Sequence, residues 1–216
     1  MFVIDMFNNK TTMPTAANAL PGREQPLPTA EHHAVSGRPL SGPYPAGLRS
    51  VYLGMGSFWA AEKLLWQVPG VWVTVAGYCG GFTPNPTRQE VGTGLTGHAE
   101  VVKVVFDPQM LPLPALLALF FERHDPTQAM RQGNDIGTAY RSVIYLPESA
   151  DLAVAEAVRD RYAEALKAAG HGGRLTTQVV EAGPFYPAET AHQQYLARNP
   201  HGRGALRGTG IACPPG

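Results

Sequence analysis

The chain has 216 residues, with 17 basic and 17 acidic side chains and a formal net charge of zero. This balance argues against a protein held on nucleic acid by a broad basic field, and no apolar run reaches the roughly 20 residues of a membrane-spanning helix. The 24 Gly and 20 Pro exceed ordinary usage and predict many turns and extended loops.

The start of the chain and its cysteine content bear on location. Residues 1–13 lack the basic end and apolar stretch of a signal peptide, and two cysteines cannot form a disulfide framework. We therefore expect a cytoplasmic protein in which Cys79 and Cys213 are free thiols. The sequence does not indicate an oligomeric state.

Residues 1–48 are predicted to form an arm, because seven prolines interrupt them and no apolar period survives. The arm either wraps the domain in extended form or is disordered, and the sequence leaves both open. The core begins with a strand over 51–54, a glycine turn and a helix over 58–66. A β-branched strand over 71–78 follows, and the five Gly and two Pro within 80–97 predict a loop.

The second half of the chain continues this alternation of elements. Patterning predicts strands over 99–106, 140–146 and 176–180, and helices over 112–124, 148–169 and 188–197. The helix over 148–169 carries an apolar stripe of Val154, Val158, Tyr162 and Leu166. The order is not a strict β-α-β repeat, which favours an α+β fold with a split β-α-β layout. We expect one domain over 49–198 and a Gly-rich tail over 199–216.

Ser57 is placed where a strand turns through glycines into a helix. Free N–H groups and the helix dipole favour negative charge there, so a thiol at this position would be a good nucleophile. A serine hydroxyl gains less and needs a neighbouring base, and from residue type alone an N-cap is the more common role.

Two other patterns carry no function. The run Gly92–Gly97 fits G-x-G-x-x-G but lacks the preceding strand and following helix of a dinucleotide site. The seven histidines show no metal-ligand spacing, so no metal site is predicted.

Residues 56–62, Gly-Ser-Phe-Trp-Ala-Ala-Glu, resemble the G-C-F-W-G-x-E signature of A-type peptide methionine sulfoxide reductases. Further matching blocks follow in the family's order, at 77–87, 96–100, 124–128, 131–135, 140–142, 185–189 and 192–196. The resemblance extends from residue 15 to the end of the sequence. It implies an α+β fold with a mixed sheet and a rolled, ferredoxin-like split β-α-β core.

The resemblance also implies an activity, the reduction of methionine-S-sulfoxide in small molecules or peptides without a bound cofactor. In the family a cysteine thiolate becomes sulfenic acid and is recycled through a resolving cysteine by thioredoxin or another thiol. Carried over, Phe58 and Trp59 form the methyl pocket and Glu100 is the acid. Tyr140 is one of two tyrosines at the sulfoxide oxygen, and Asp135 contacts substrate or water.

The chain departs from this pattern at several functional positions. The nucleophile position holds Ser57, and a hydroxyl cannot pass through sulfenic acid. Arg88 stands where the second tyrosine is expected, and Gly204 stands where the first resolving cysteine is expected. Cys213 matches a second resolving cysteine that only some members use.

Two accounts of Ser57 remain open. It either replaces a native cysteine in a chain altered to trap substrate, or marks a natural relative that gave up thiol chemistry. The second account also explains Arg88, Gly204 and Gly92, and we prefer it. Gly92 stands where the family often has the cysteine of a Cys-Ser-Gly run. Such a relative would use Glu100 as acid or base on a small sulfoxide, amide or carbonyl compound, or would bind methionine sulfoxide without turnover.

The sequence also gives Arg88 an electrostatic role. A cation beside Glu100 would keep that carboxylate ionised, which favours a base or an anionic ligand. Residue types alone favour a core role for Phe58 and Trp59, and they are compatible with Asp135 and Tyr140 as ordinary loop residues.

Overall fold

The computed structural model describes residues 10–202, 204 and 206–216. The strands are β1 (Arg49–Met55), β2 (Val71–Cys79), β3 (Ala99–Phe106), β4 (Arg131–Gln132), β5 (Asp135–Ile136), β6 (Ser142–Leu146), β7 (Gln178–Glu181) and β8 (Phe185–Pro187). The helices are α1 (Phe58–Leu65), α2 (Arg88–Gly92), α3 (Leu113–Arg123), α4 (Leu152–Ala168) and α5 (Tyr195–Arg198). Within the described ranges, no helix is long and apolar enough to cross a membrane.

Six strands form one mixed sheet in the order β7-β6-β1-β3-β2-β8, and β4 and β5 form a separate hairpin. Strand β3 lies between β1 and β2 and is antiparallel to both. Strands β1 and β2 are therefore parallel and joined through α1, which makes a split β-α-β unit. The parallel pairing of β6 with β7 makes the sheet mixed. The predicted α+β fold is confirmed.

The two faces of the sheet are covered by different parts of the chain. On β3, Val102, Val104 and Phe106 belong to the core shared with α1, α3 and α4. The alternate residue Val105 packs on the other face with Leu40 of the arm. Because successive strand residues point to opposite faces, a sheet covered on both sides needs apolar residues at nearly every position. This accounts for the adjacent valine pairs of β3, at 101–102 and 104–105.

The described part of the arm lies against the domain through specific contacts. The guanidinium of Arg23 makes two hydrogen bonds to the carboxylate of Glu90, at 2.7 and 3.0 Å. His33 Nε2 lies 3.0 Å from Thr74 Oγ1. That hydroxyl donates to the buried carboxylate of Glu62 at 3.3 Å. The arm thus reaches both the site-bearing helix α1 and the loop that holds α2.

The structure differs from the predicted elements in several places. Residues 80–97 contain α2, a five-residue helix. Its N-terminus is capped by a capping box between Thr87 and Glu90. The helix predicted over 188–197 is reduced to Tyr195–Arg198, because Gln194 adopts a left-handed conformation with φ 46°. Strand β6 begins at Ser142, since Tyr140 ends a 3-10 turn over Thr138–Tyr140.

The ends of other elements also shift. Helix α4 begins at Leu152 after a 3-10 turn over Ser149–Asp151, so the prediction from residue 148 is too long. Val154 is 37% exposed, whereas Ala155 is buried and takes its place in the apolar stripe. Sequence patterning does not predict strand β8, because three residues give too short a pattern.

Candidate active site

The turn from β1 into α1 places Ser57 at the helix N-terminus. Gly56 has φ 91°, and a Cβ atom there would lie 2.6 Å from Gln132 Cβ. Glycine is therefore required on both conformational and steric grounds. The β4–β5 hairpin, which carries Gln132 and Asp135, packs against this turn.

The alternation of β3 brings Glu100 to the same place. Glu100 shares the helix-facing side of β3 with Val102 and Val104, and it is the second residue of the strand. Its Oε2 accepts a hydrogen bond from the backbone N–H of Phe58 at 3.0 Å. The carboxyl group, 1% exposed, therefore lies directly at the first turn of α1.

Ser57 occupies the N-cap position, but its side chain makes no capping hydrogen bond. Glu100 instead takes the first free N–H of α1. In the described part of the chain, no residue forms a hydrogen bond with the Ser57 hydroxyl. Among the described residues, a base that could activate this hydroxyl is thus not hydrogen-bonded to it.

Arg88, the first residue of α2, reaches across to this site. Its backbone N–H donates to Glu189 Oε1 at 2.9 Å, and Glu189 Oε2 accepts from the Tyr78 hydroxyl at 2.8 Å. Its Nε lies 3.3 Å from Glu100 Oε1, but the N–H is not aligned for a hydrogen bond. Its Cζ lies 4.2 Å from the centre of the Trp59 ring, a cation–π contact.

Trp59 is covered on both faces. The Tyr195 ring stacks on one face with a centroid separation of 4.0 Å and an interplanar angle of 16°. The Arg88 guanidinium at 4.2 Å must therefore occupy the other face. Phe58 is fully buried, and its ring packs against the Tyr78 ring with a centroid separation of 5.7 Å. A methyl group has no open face of Trp59 to lie on while Arg88 holds this position.

The electrostatics of Glu100 result from two opposing effects. Burial raises the pKa of Glu100 to about 7, and the charges of Asp135 and Glu189 act in the same direction. The Arg88 charge and the Phe58 N–H bond lower this pKa, but by less than burial raises it. The cation predicted beside Glu100 is present, yet it does not keep the carboxyl group fully ionised at neutral pH.

Asp135 and Tyr140 lie within electrostatic reach of the same group. Burial raises the pKa of Tyr140 to about 12, and the Glu100 charge adds to this rise. Burial also raises the pKa of Asp135, which the Arg88 charge opposes. Tyr140 is therefore a neutral hydrogen-bond donor at ordinary pH.

The two thiols lie elsewhere. Cys79 alternates with Tyr78 on β2 and packs on the opposite face of the sheet with Ala99 and Tyr145, where burial raises its pKa to about 11. The backbone N–H of Cys213 donates to Glu122 of α3 at 2.8 Å, and burial raises the pKa of its thiol. By contrast, a Cβ atom on Gly204 would lie 3.4 Å from Ala60 Cβ of α1.

Four site residues had no role assigned from sequence: Tyr78, Glu189, His192 and Tyr195. All four belong to the sequence blocks that resemble the reductase family, and that signal could have identified them. The His192 ring lies 5.7 Å from the Trp59 ring. Among the described residues, no group of three His, Cys, Asp or Glu side chains could hold a metal ion.

Comparisons with known proteins agree with this arrangement. The family model described as peptide methionine sulfoxide reductase matches residues 49–209. Peptide methionine sulfoxide reductase MsrA 1 of Rhizobium meliloti is 61% identical over 216 residues, which cover 100% of each chain. The MsrA of Agrobacterium fabrum is 59% identical over 213 residues, 99% of each chain.

Solved structures show the same likeness. Methionine sulfoxide reductase A of Corynebacterium diphtheriae is 43% identical with a TM-score of 0.83, over 94% of this chain and 98% of that one. Mxr1 from Saccharomyces cerevisiae in reduced form is 31% identical with a TM-score of 0.67, over 76% and 94%. The chain belongs to the peptide methionine sulfoxide reductase family.

Proposed function

We propose that this chain keeps the ligand pocket of its family but does not run the thiol redox cycle through position 57. The pocket binds a small polar ligand at Glu100, and Glu100 serves as its acid or base. The observation that carries the proposal is Ser57 at the N-terminus of α1, with Cys79 and Cys213 both packed elsewhere.

The chemistry of sulfoxide reduction explains why the serine matters. In the thiol cycle, sulfur gives up two electrons and accepts the sulfoxide oxygen, forming sulfenic acid. An alcohol oxygen cannot take that oxidation step. Cys79 cannot replace the missing sulfur, because it faces the other side of the sheet.

The remaining groups are suited to proton transfer and ligand binding. A carboxyl group with a pKa of about 7 can donate or accept a proton near neutral pH. Tyr140 supplies a neutral donor, and Asp135 supplies a second carboxyl group for substrate or water. Phe58 supports this arrangement from the core, and Trp59 holds the Arg88 guanidinium through the cation–π contact.

A second candidate is methionine-S-sulfoxide reduction, favoured by relatives at about 60% identity that are named reductases. A thiol would then be the reductant, and Mxr1 from Saccharomyces cerevisiae is known in complex with Trx2. Cys213 would be the resolving thiol. This candidate needs a nucleophile that Ser57 cannot supply, so we rank it second.

An assay with dithiothreitol tests the proposal. The unmodified chain should form no methionine from methionine-S-sulfoxide beyond a background of one equivalent, because no thiol lies at the turn. Steady formation of many equivalents per chain would contradict the proposal. Cys79→Ser and Cys213→Ser variants would then identify the thiol responsible.

A further inference from the structure

Three buried nitrogens around the Trp59 ring have no hydrogen-bond partner among the described residues. They are Trp59 Nε1, Arg88 Nε and His192 Nδ1. Buried polar groups without partners are rare, because each has given up its hydrogen bonds to water. The indole and guanidinium nitrogens are donors, so the cluster is suited to a ligand that brings acceptor atoms.

Arg88 brings a positive charge to a site that also holds three carboxyl groups, those of Glu100, Asp135 and Glu189. Among the described residues, Glu100 is the one carboxylate in ion-pair contact with Arg88, at 3.3 Å and without a hydrogen bond. The Arg88 side chain is still 30% exposed. Its two terminal nitrogens also have no hydrogen-bond partner in the described ranges, so the guanidinium fork keeps free donors for a ligand.

We propose that the site binds the carboxylate group of a small acid and that Arg88 determines this specificity. A carboxylate offers two coplanar oxygens, which match the guanidinium fork in shape and charge. A methyl sulfoxide offers one acceptor oxygen and no net charge, and Arg88 covers the Trp59 face on which its methyl group would lie. The inference rests on the proposed function, because it assigns a ligand class to the same pocket.

The test compares propionate with propionamide and dimethyl sulfoxide in titration calorimetry on the full chain, at constant ionic strength and pH 7. Propionate and propionamide have nearly the same shape and differ in charge. We expect propionate to bind at least about tenfold more tightly than either neutral probe. Arg88→Gln should weaken propionate binding by about ten- to hundredfold, since it removes a charge-assisted hydrogen bond.

Two further variants separate specific binding from a general attraction of anions. Arg88→Tyr should reverse the preference, so that dimethyl sulfoxide binds more tightly than propionate. Arg174→Gln is the matched control, because Arg174 lines a separate groove of about 390 Å³ beside Arg159 and Asp160. Its propionate affinity should equal that of the unmodified chain.

Equal affinity for propionate and propionamide, or no propionate binding, would overturn the inference. So would an unchanged affinity in Arg88→Gln. If that variant does not fold, Arg88→Lys keeps the charge and loses the fork, and it must also bind propionate more weakly. These outcomes are independent of the methionine assay, so the inference can fail while the proposed function stands.

Discussion

Glu100 is the residue whose environment departs most clearly from its ordinary chemistry. It lies on the helix-facing side of β3. One carboxyl oxygen accepts a hydrogen bond from the Phe58 N–H, and the other lies near Arg88 Nε. Burial outweighs both contacts and raises its pKa from 4.5 to about 7. The folded protein thus holds a proton on Glu100 under conditions where the unfolded chain has released it.

This difference predicts a pH dependence of stability that belongs to Glu100. A raised carboxyl pKa means that the stabilising contribution is complete below pH 4.5 and is lost as the pH rises to about 7. We expect the free energy of unfolding, relative to Glu100→Gln, to fall by roughly 2–3 kcal/mol across this window. Denaturant unfolding at several pH values measures it.

The comparison with Glu100→Gln is needed because Glu62 is also buried and has a pKa raised to about 7 by burial. The contribution of Glu62 to the pH dependence is the same in both proteins and cancels in their difference. A difference that is constant from pH 4 to pH 8 would show that Glu100 titrates as it does in the unfolded chain.

The turn between β1 and α1 is the element that positions the site. Gly56 needs both its positive φ and the absence of a side chain, because Gln132 lies where a Cβ atom would be. Gly92, at the end of α2, has no atom within 4 Å of such a position. The two glycines therefore form a matched pair for testing how tightly this turn is constrained.

We expect Gly56→Ala to destabilise the protein by about 2–4 kcal/mol, through backbone strain and a clash with Gln132. Gly92→Ala should stabilise it by about 0.5–1 kcal/mol, because alanine is the better helix former. Thermal unfolding of the two variants measures both effects. Similar melting temperatures for Gly56→Ala and the unmodified chain would show that the turn can relax.

The elements that sequence patterning predicts best are those with a regular apolar pattern. Patterning predicts strand β3 over 99–106, and the structure has it at Ala99–Phe106. Helix α2 escaped the pattern because its five residues are fixed by capping and by contacts from Arg23 and Glu189, which are distant in sequence. Short elements held by long-range contacts leave no periodic signal.

The candidate site was predictable only in part for a related reason. The resemblance to the reductase family identifies Glu100, Trp59 and their neighbours as candidate site residues. The departures at Ser57 and Arg88 are also visible in the sequence. The stacking of Arg88 and Tyr195 on opposite faces of Trp59 is not, because it depends on how α2 and α5 pack beside α1. Residue types also do not show that burial would be the largest influence on the pKa of Glu100.

At the scale of the whole molecule, we propose that the arm belongs to the same folding unit as the domain. Leu40 is 5% exposed and packs with Val73, Val75 and Val105 on the sheet face opposite the helices. Val35, also in the arm, is 53% exposed. Without the arm, this face of the sheet would present its apolar side chains to water.

We expect Leu40→Ala to lower the free energy of unfolding by about 2–4 kcal/mol, since it removes buried apolar contacts. Val35→Ala should change it by less than about 0.5 kcal/mol, because that side chain is exposed. Denaturant unfolding should show one transition for both variants. A separate early transition, or no loss in Leu40→Ala, would show that the arm does not stabilise the domain.

We propose that Ser57 and Arg88 together remove the family's redox chemistry from this pocket. The most direct test is the rate of methionine formation from methionine-S-sulfoxide with dithiothreitol, compared between Ser57→Cys and Ser57→Cys/Arg88→Tyr. The single variant should be slow, because Arg88 covers Trp59 and supplies no phenol donor. The added tyrosine should raise the rate by roughly 10- to 100-fold. Equal rates for the two variants, with the single variant already fast, would contradict the account.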